Sequence, residues 1–338
     1  MREMDRISSN FRQRTKQWAS RIGKNDNFVL AVVLFALIGV MAAVTKGLSI
    51  TQKNMMNVLW QSSIRGMGAL GQACVVLSGG LDLSLGGVAL FAGLLGSSLM
   101  TGSMHQNILG YILPTGLGIV IILLVATGFG LINGLSVSRV RIPALIATLA
   151  VWRIAEGIGY QLSGGCNIQK LPVGLEFFGS ATIFGVYVPV IIFIVSTVIV
   201  YLVLNYTPLG RSIYAVGGSP TSAWLSGIDV KRVQLFVYTL SGFMAGMSSL
   251  IYTGRIMLAT METAKGLEID SIIAVSIGGV SLMGGRGSVI GVFLGVLIFG
   301  VINNAVSILG AEPTTEGIVK GLIIFTAVAI DYKRRQTY

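Results

Sequence analysis

Apolar stretches long enough to cross a bilayer constrain this chain more than any other feature. Residues 28–44, 111–137, 184–205 and 289–309 carry no charged side chain. A helix needs about 20 mostly apolar residues to span the hydrocarbon core. Only 11% of the 338 residues are charged and 53% are hydrophobic, whereas soluble domains carry roughly 25% charged residues. A chain this poor in charge cannot clothe a water-facing surface. Its 45 glycines lie largely inside the apolar runs, where small residues let membrane helices approach closely. The reading is an all-α polytopic membrane protein.

The formal net charge of +11 does not mark a nucleic-acid binder. The basic residues have no interleaved aromatics and cluster beside apolar spans, the pattern of membrane topology. Cys74 and Cys166 are too few for a disulfide framework or a zinc site. With His105 alone, multi-histidine metal binding and histidine catalysis have nothing to work with. Residues 1–26 are too long and polar for a signal-peptide n-region, and no small-residue cleavage site follows the first apolar run, so 28–44 reads as a permanent first span after a cytoplasmic N-terminal segment, 1–27.

Ten crossings follow: 28–44, 55–78, 83–101, 111–137, 142–163, 184–205, 233–257, 267–283, 289–309 and 315–330. The membrane domain then covers 28–331, with a short tail at 332–338. The second, third, fifth and eighth spans are interrupted by Gly or polar residues. With both termini in the cytoplasm, inside segments hold sixteen Lys and Arg and outside segments four, as the positive-inside rule demands. Four more, Arg65, Arg153, Arg255 and Lys320, fall within spans. Arg153 and Glu156 are placed to pair at i,i+3, and Glu316 and Lys320 at i,i+4. Arg255, near a span end, can snorkel. Whether these charges are structural or face a solute path stays open.

Gly79-Gly80 in the third span matches Gly278-Gly279 in the eighth, and Gly130-Leu131-Ile132-Asn133 matches Gly300-Val301-Ile302-Asn303. Spans 1–5 would then repeat as 6–10. Five crossings is odd, so the second copy would be inverted, a recurrent transporter design. The segment 78–88 puts Gly, Ser and Asp82 at membrane depth, where irregular backbone survives only inside protein or along a cavity. Asp82 is placed to cap a helix N-terminus.

The longest inside loop, 206–232, is not disordered in composition. Pro220 can open a short helix, Ala223, Trp224 and Leu225 give it apolar surface, and Gly227 can end it. Such a helix suits docking into another protein or resting on lipid headgroups.

Four motifs then fall in order. They are Ser78-Gly79-Gly80-Leu81-Asp82-Leu83-Ser84-Leu85-Gly86, Pro143-Ala144-Leu145-Ile146-Ala147-Thr148-Leu149, Thr207-Pro208-Leu209-Gly210-Arg211-Ser212-Ile213-Tyr214-Ala215-Val216-Gly217-Gly218, and Glu268-Ile269-Asp270-Ser271-Ile272-Ile273-Ala274-Val275. The last is followed by Gly278-Gly279-Val280-Ser281-Leu282-Met283-Gly284-Gly285-Arg286-Gly287. Together they resemble the permease subunits of bacterial ABC importers of the ribose/xylose/arabinose/galactose class. The first motif has one residue more than the family pattern between Gly79 and Asp82. In the loop, Ser219 and Ser222 stand where the family usually has Asn and Ala, and Glu156 stands where many relatives carry Arg.

The resemblance implies a bacterial inner-membrane importer. It would hold two permease subunits, a cytoplasmic ATPase and a periplasmic or lipid-tethered solute-binding protein. It makes 206–232 the coupling loop, with Ser219, Pro220, Ala223, Trp224, Leu225, Ser226 and Gly227 docking into the ATPase. No P-loop occurs here, since Gly284-Gly285-Arg286-Gly287-Ser288 lacks the lysine. ATP and Mg²⁺ therefore belong on the partner, and this chain needs no cofactor and is not itself an enzyme. Transport would run by alternating access. Ser84, Asn133, Asn303 and Asn304 are candidates for the solute path, with helix–helix hydrogen bonding as their other reading. An ion-driven secondary transporter is the alternative mechanism. An intramembrane enzyme is disfavoured by the lack of a catalytic cluster. Among solutes, a nucleoside or branched-chain amino acid is the alternative to a monosaccharide. Which solute, and whether the permeases form a homo- or heterodimer, the sequence leaves open.

Overall fold

A computed structural model describes residues 26–310 and 313–336 and, within 313–336, the side chains of residues 315, 317–326 and 329. The expected segment 1–27 therefore lies almost wholly outside the described residues, as do residues 337 and 338 of the tail. The helices in chain order are α1 (Asp26–Val44), α2 (Gln52–Leu77), α3 (Leu85–Met100), α4 (Thr115–Leu135), α5 (Ala144–Ser163), α6 (Glu176–Gly179), α7 (Val188–Tyr206), α8 (Pro208–Gly218), α9 (Pro220–Leu225), α10 (Val230–Ile256), α11 (Leu267–Ile277), α12 (Val289–Ile308) and α13 (Pro313–Gln336). A two-residue hairpin pairs β1 (Thr182–Ile183) with β2 (Val186–Tyr187). It occupies the start of the expected sixth span, because Phe184 and Gly185 take positive φ and turn the chain before α7 begins.

The protein is all-helical apart from that hairpin among the described residues. Five helices are long and apolar enough to cross a membrane: α1, α4 with its extension to Val140, α7, α10 and α12. These include the four spans that read most clearly in sequence. The extension Ser136–Val140 is π-helical and stops at Arg141, whose φ of 66° ends the helix. α3 has 16 residues and is apolar but shorter.

α2 is the central helix. Beyond Ser62 nearly every residue is buried, and α7, α10, α11 and α12 all pack on it. Glycines set its neighbours' distance: a side chain on Gly66 would run into Phe193 of α7, and one on Gly71 into the Ser241 backbone of α10. The most extensive crossing joins α4 and α10. Ala126, Gly130 and Gly134 on α4, and Gly242 and Gly246 on α10, recur every four residues and so lie on one stripe of each helix. A Cβ on Gly242 would meet the Ala126 carbonyl oxygen and come 2.7 Å from the Gly130 Cα. This is small-residue packing, which substitutes in lipid for the missing hydrophobic drive.

Two ends of the bundle are tied by different backbone contacts. At one, the Gly285 N–H donates to the Leu77 carbonyl at 3.0 Å. At the other, Gly102 N–H donates to the Lys170 carbonyl at 3.0 Å, and Ile168 pairs with Ala259.

Candidate functional site

The loop 206–232 folds into two helices. Thr207 starts α8, accepting a hydrogen bond from the Gly210 N–H at 3.2 Å, and Pro208 holds the first helical position. Ser219 starts α9 in the same way, accepting from the Ser222 N–H at 3.2 Å, with Pro220 behind it. Ser226 closes α9 and Gly227 follows with φ 83°, a left-handed conformation that favours glycine. The expected helix 219–227 is thus present, built by the residues that signalled it. Ala223 is buried at 3%, whereas Trp224 and Leu225 are 67% and 73% exposed. Two large apolar side chains side by side on a six-residue helix leave an uncovered apolar knob.

That knob stands on a stiff base. α8 packs against the end of α2, where a side chain on Gly217 would overlap the Leu77 carbonyl oxygen and the Gly285 backbone. Gly284 and Gly285 have φ of 88° and 74° and bring the 278–288 loop onto the same spot. The Tyr214 hydroxyl donates to the Gly287 carbonyl at 3.1 Å. Burial pushes the Tyr214 hydroxyl above its ordinary pKa, so it stays protonated and donating. α9 is therefore joined through α8 by close backbone contacts to the end of α2 and to the loop joining α11 and α12.

The path candidates fall into separate groups. Ser84 and Asn133 meet: the Asn133 Nδ2 donates to the Ser84 Oγ at 2.7 Å. Ser84 Oγ in turn donates to Asp82 at 2.6 Å, and Ser241 of α10 donates to the other Asp82 oxygen at 2.7 Å. Asp82 is fully buried and also accepts from the Ser84 N–H at 2.9 Å, but Ser84 holds the N-cap position of α3 and no side chain bonds an amide of its first turn, so the cap expected of Asp82 is not formed: its carboxylate stops one residue short of the helix and is spent on Ser84 and Ser241. Asn304 is joined elsewhere, in a two-way amide pair with Asn54 at 2.9 and 3.0 Å. Asn303 is buried on α12, and its Nδ2 has no partner among the described residues.

A polar cavity of about 680 Å³ lies between α2, α10, α11 and α13. Three of the four in-span cations face it. Arg65 Nε is 2.9 Å from Asp270, and Lys320 Nζ is 2.7 Å from the other oxygen of the same carboxylate. Both cations also sit 5.9 Å from the Phe299 ring centre. Lys320 thus pairs across helices with Asp270; the Glu316 side chain expected to hold it lies outside the described residues. Arg255 does not snorkel to solvent. Its guanidinium stacks on Trp60 at 4.0 Å, and Trp60 Nε1 donates to the Gly179 carbonyl at 2.6 Å. The fourth in-span cation behaves as expected, Arg153 meeting Glu156 at 2.8 Å on the exposed face of α5. Sequence reasoning missed the Asp270 cluster: it paired Lys320 with Glu316 on its own helix, although Arg65 and Asp270, opposite charges in two different expected spans, were its signal.

The sequence profile of the family described as branched-chain amino acid transport system / permease component matches residues 54–328. The chain belongs to this permease family. It is 34% identical over 283 residues to the ribose import permease of Bacillus subtilis, covering 83% of this chain and 85% of that one. It is 34% identical over 288 residues to the galactose/methyl galactoside import permease of Escherichia coli, covering 82% and 86%. The fructose import permease of Rhizobium meliloti is 34% identical over 282 residues, covering 81% and 76%. No solved structure matches the chain. The chain is accordingly a multi-pass membrane transport subunit.

Proposed function

We propose that this chain is the permease subunit of an ABC importer in a bacterial inner membrane, moving a monosaccharide or sugar-like solute by alternating access. The observation that carries the reading is the α8–α9 unit: an exposed Trp224–Leu225 knob set on backbone contacts with the end of α2. That is the shape required to receive a push from a partner ATPase holding ATP and Mg²⁺. The sugar class is supported by relatives named for ribose, galactose and fructose import. A second permease copy and an external solute-binding protein complete the assembly.

The reading includes ten crossings, N-in and C-in, in two inverted halves, with 28–331 as the membrane domain. Mirrored packing supports it. α4 on α10 is matched by α12 on α2, α3 on α5 by α11 on α13, and α3 on α10 by α11 on α2. The buried acids match too: Asp82 before α3 is held from α10 by Ser241, and Asp270 in α11 is held from α2 by Arg65. Asn133 and Asn303 occupy comparable places late in α4 and α12. Gly79-Gly80 precedes α3 while Gly278-Gly279 follows α11, so that glycine match is not part of the repeat.

For the solute path, the polar cavity is the entry from the end bearing residues 257–266. Ser84, Asn133, Asn303 and Asn304 are the groups uncovered as helices part. The Asn303 Nδ2 and the Asn133 Oδ1, neither with a hydrogen-bond partner among the described residues, are suited to that.

The test is affinity purification of the tagged chain from host membranes beside Trp224→Ala and Gly227→Asp variants, with mass spectrometry. An ATPase recovered with the native chain and lost with both variants is expected. A chain recovered alone, whose purified form moves solute down an ion gradient without ATP, replaces the importer with a secondary transporter.

A further inference from the structure

The cavity between α2, α10, α11 and α13 is unbalanced in charge. Its lining includes Arg65, Arg255, Lys265 and Lys320 against Glu262 and Asp270. Both carboxylates are already engaged. Asp270 is shared by Arg65 and Lys320 at 2.9 and 2.7 Å, and Glu262 is held by Lys265 at 2.8 Å. Glu268, the nearest further acid on α11, turns away, its carboxylate lying against Gly86 of α3. Arg255 meets no carboxylate among the described residues, and Arg65 spends only Nε on Asp270, leaving both terminal nitrogens without a described acceptor. A guanidinium presents a planar fork that matches carboxylate or phosphate oxygens. Keeping two such forks partly dehydrated is costly unless an anion completes them. Gln61 and Tyr252 line the same space and supply the uncharged donors and acceptors that hydroxyl groups need.

We propose that this cavity is an oxyanion-recognising solute site, and that the imported solute is a sugar bearing a carboxylate or phosphate group rather than a neutral monosaccharide. Arg255 and the free edge of Arg65 grip the oxyanion, while Gln61 and Tyr252 meet the hydroxyls. The proposal deepens the importer reading and rests on it for the direction of traffic.

The full chain in lipid nanodiscs is titrated calorimetrically with ribose, ribonate and ribose 5-phosphate. These share a carbon skeleton and differ in charge and kind of oxyanion. At least one anion is expected to bind about tenfold or more tighter than ribose, the scale of one hydrogen bond to a charged group. Which anion does so separates the carboxylate from the phosphate. Arg255→Gln, which breaks no ion pair, is expected to remove that advantage. Arg255→Lys should restore part of it, which a merely structural arginine would not show. Thermal melting confirms that both variants stay folded. The proposal is overturned if ribose binds as tightly as both anions, if none of the three binds, or if Arg255→Gln leaves anion affinity unchanged. A chain that prefers ribose yet co-purifies with an ATPase sinks this proposal alone. A chain that brings down no ATPase and works without ATP sinks the importer reading instead.

Discussion

The Arg65 guanidinium, midway along α2, lies 2.9 Å from the carboxylate of Asp270, in the first turn of α11. Lys320 of α13 takes the second oxygen at 2.7 Å. One acid therefore ties three helices. Asp270→Asn leaves two cations in a low-dielectric setting. Removing one partner of a buried pair costs 3–5 kcal/mol. Arg65 and Lys320 keep 24% and 21% side-chain exposure, so a loss of roughly 3 kcal/mol, the low end of that range, is expected. Thermal melting of the purified variant in detergent reads it, and a melting point equal to the native one would show that the cluster holds nothing together.

Two adjacent glycines separate coupling from docking. A Cβ on Gly217 overlaps the Leu77 carbonyl, while one on Gly218 meets nothing within 4 Å. Gly217→Ala should lift α8 off the end of α2 yet leave Trp224 exposed. The variant is expected to retain the partner ATPase and lose ATP-driven uptake. Gly218→Ala should behave as native. Uptake in reconstituted vesicles decides, and equal activity of the two variants would refute the transmission route.

The α4–α10 crossing gives a second matched pair. Gly242→Val forces a side chain into the Ala126 and Gly130 backbone, whereas Gly128 faces open space. Overpacking typically costs about 1–3 kcal/mol and more where backbone blocks relief. Gly242→Val is expected at or above the top of that range, with poor recovery of monodisperse protein. Gly128→Val should be recovered normally.

Ser241 donates to Asp82 at 2.7 Å between α10 and the start of α3. Ser241→Ala leaves an oxygen of a buried acid without this hydrogen bond, which costs about 1–3 kcal/mol. Stability should fall by that amount while the preference among solutes stays as in the native chain. A shift in preference would place Asp82 on the path instead.

Much of the architecture was legible in the residues themselves. The charge-free runs at 28–44, 111–137, 184–205 and 289–309 became α1, α4, α7 and α12, since an apolar helix needs no partner to be recognised. The α9 helix was equally readable, because Ser219, Pro220 and Gly227 act on the backbone within one or two turns of themselves. The four path candidates were visible only as polar residues in apolar spans. Sequence could not say that Asn133 meets Ser84 or that Asn304 meets Asn54.

Long-range pairing marks the boundary between the two sources. Local chemistry, expressed within a few residues, determined which segments carry the main helices, how α8 and α9 start and stop, and that the chain belongs in a membrane, while the hairpin at 182–187 and the end of α11 at Ile277 departed from the expected spans. Tertiary structure alone decided that Lys320 turns to Asp270, that Arg255 stacks on Trp60, and that Arg65 shares a cavity with both cations. Arg65 and Asp270 are 205 residues apart. Their meeting depends on which helix faces pack, and the glycine stripes of α2, α4 and α10 set that distance and rotation only once the helices are assembled.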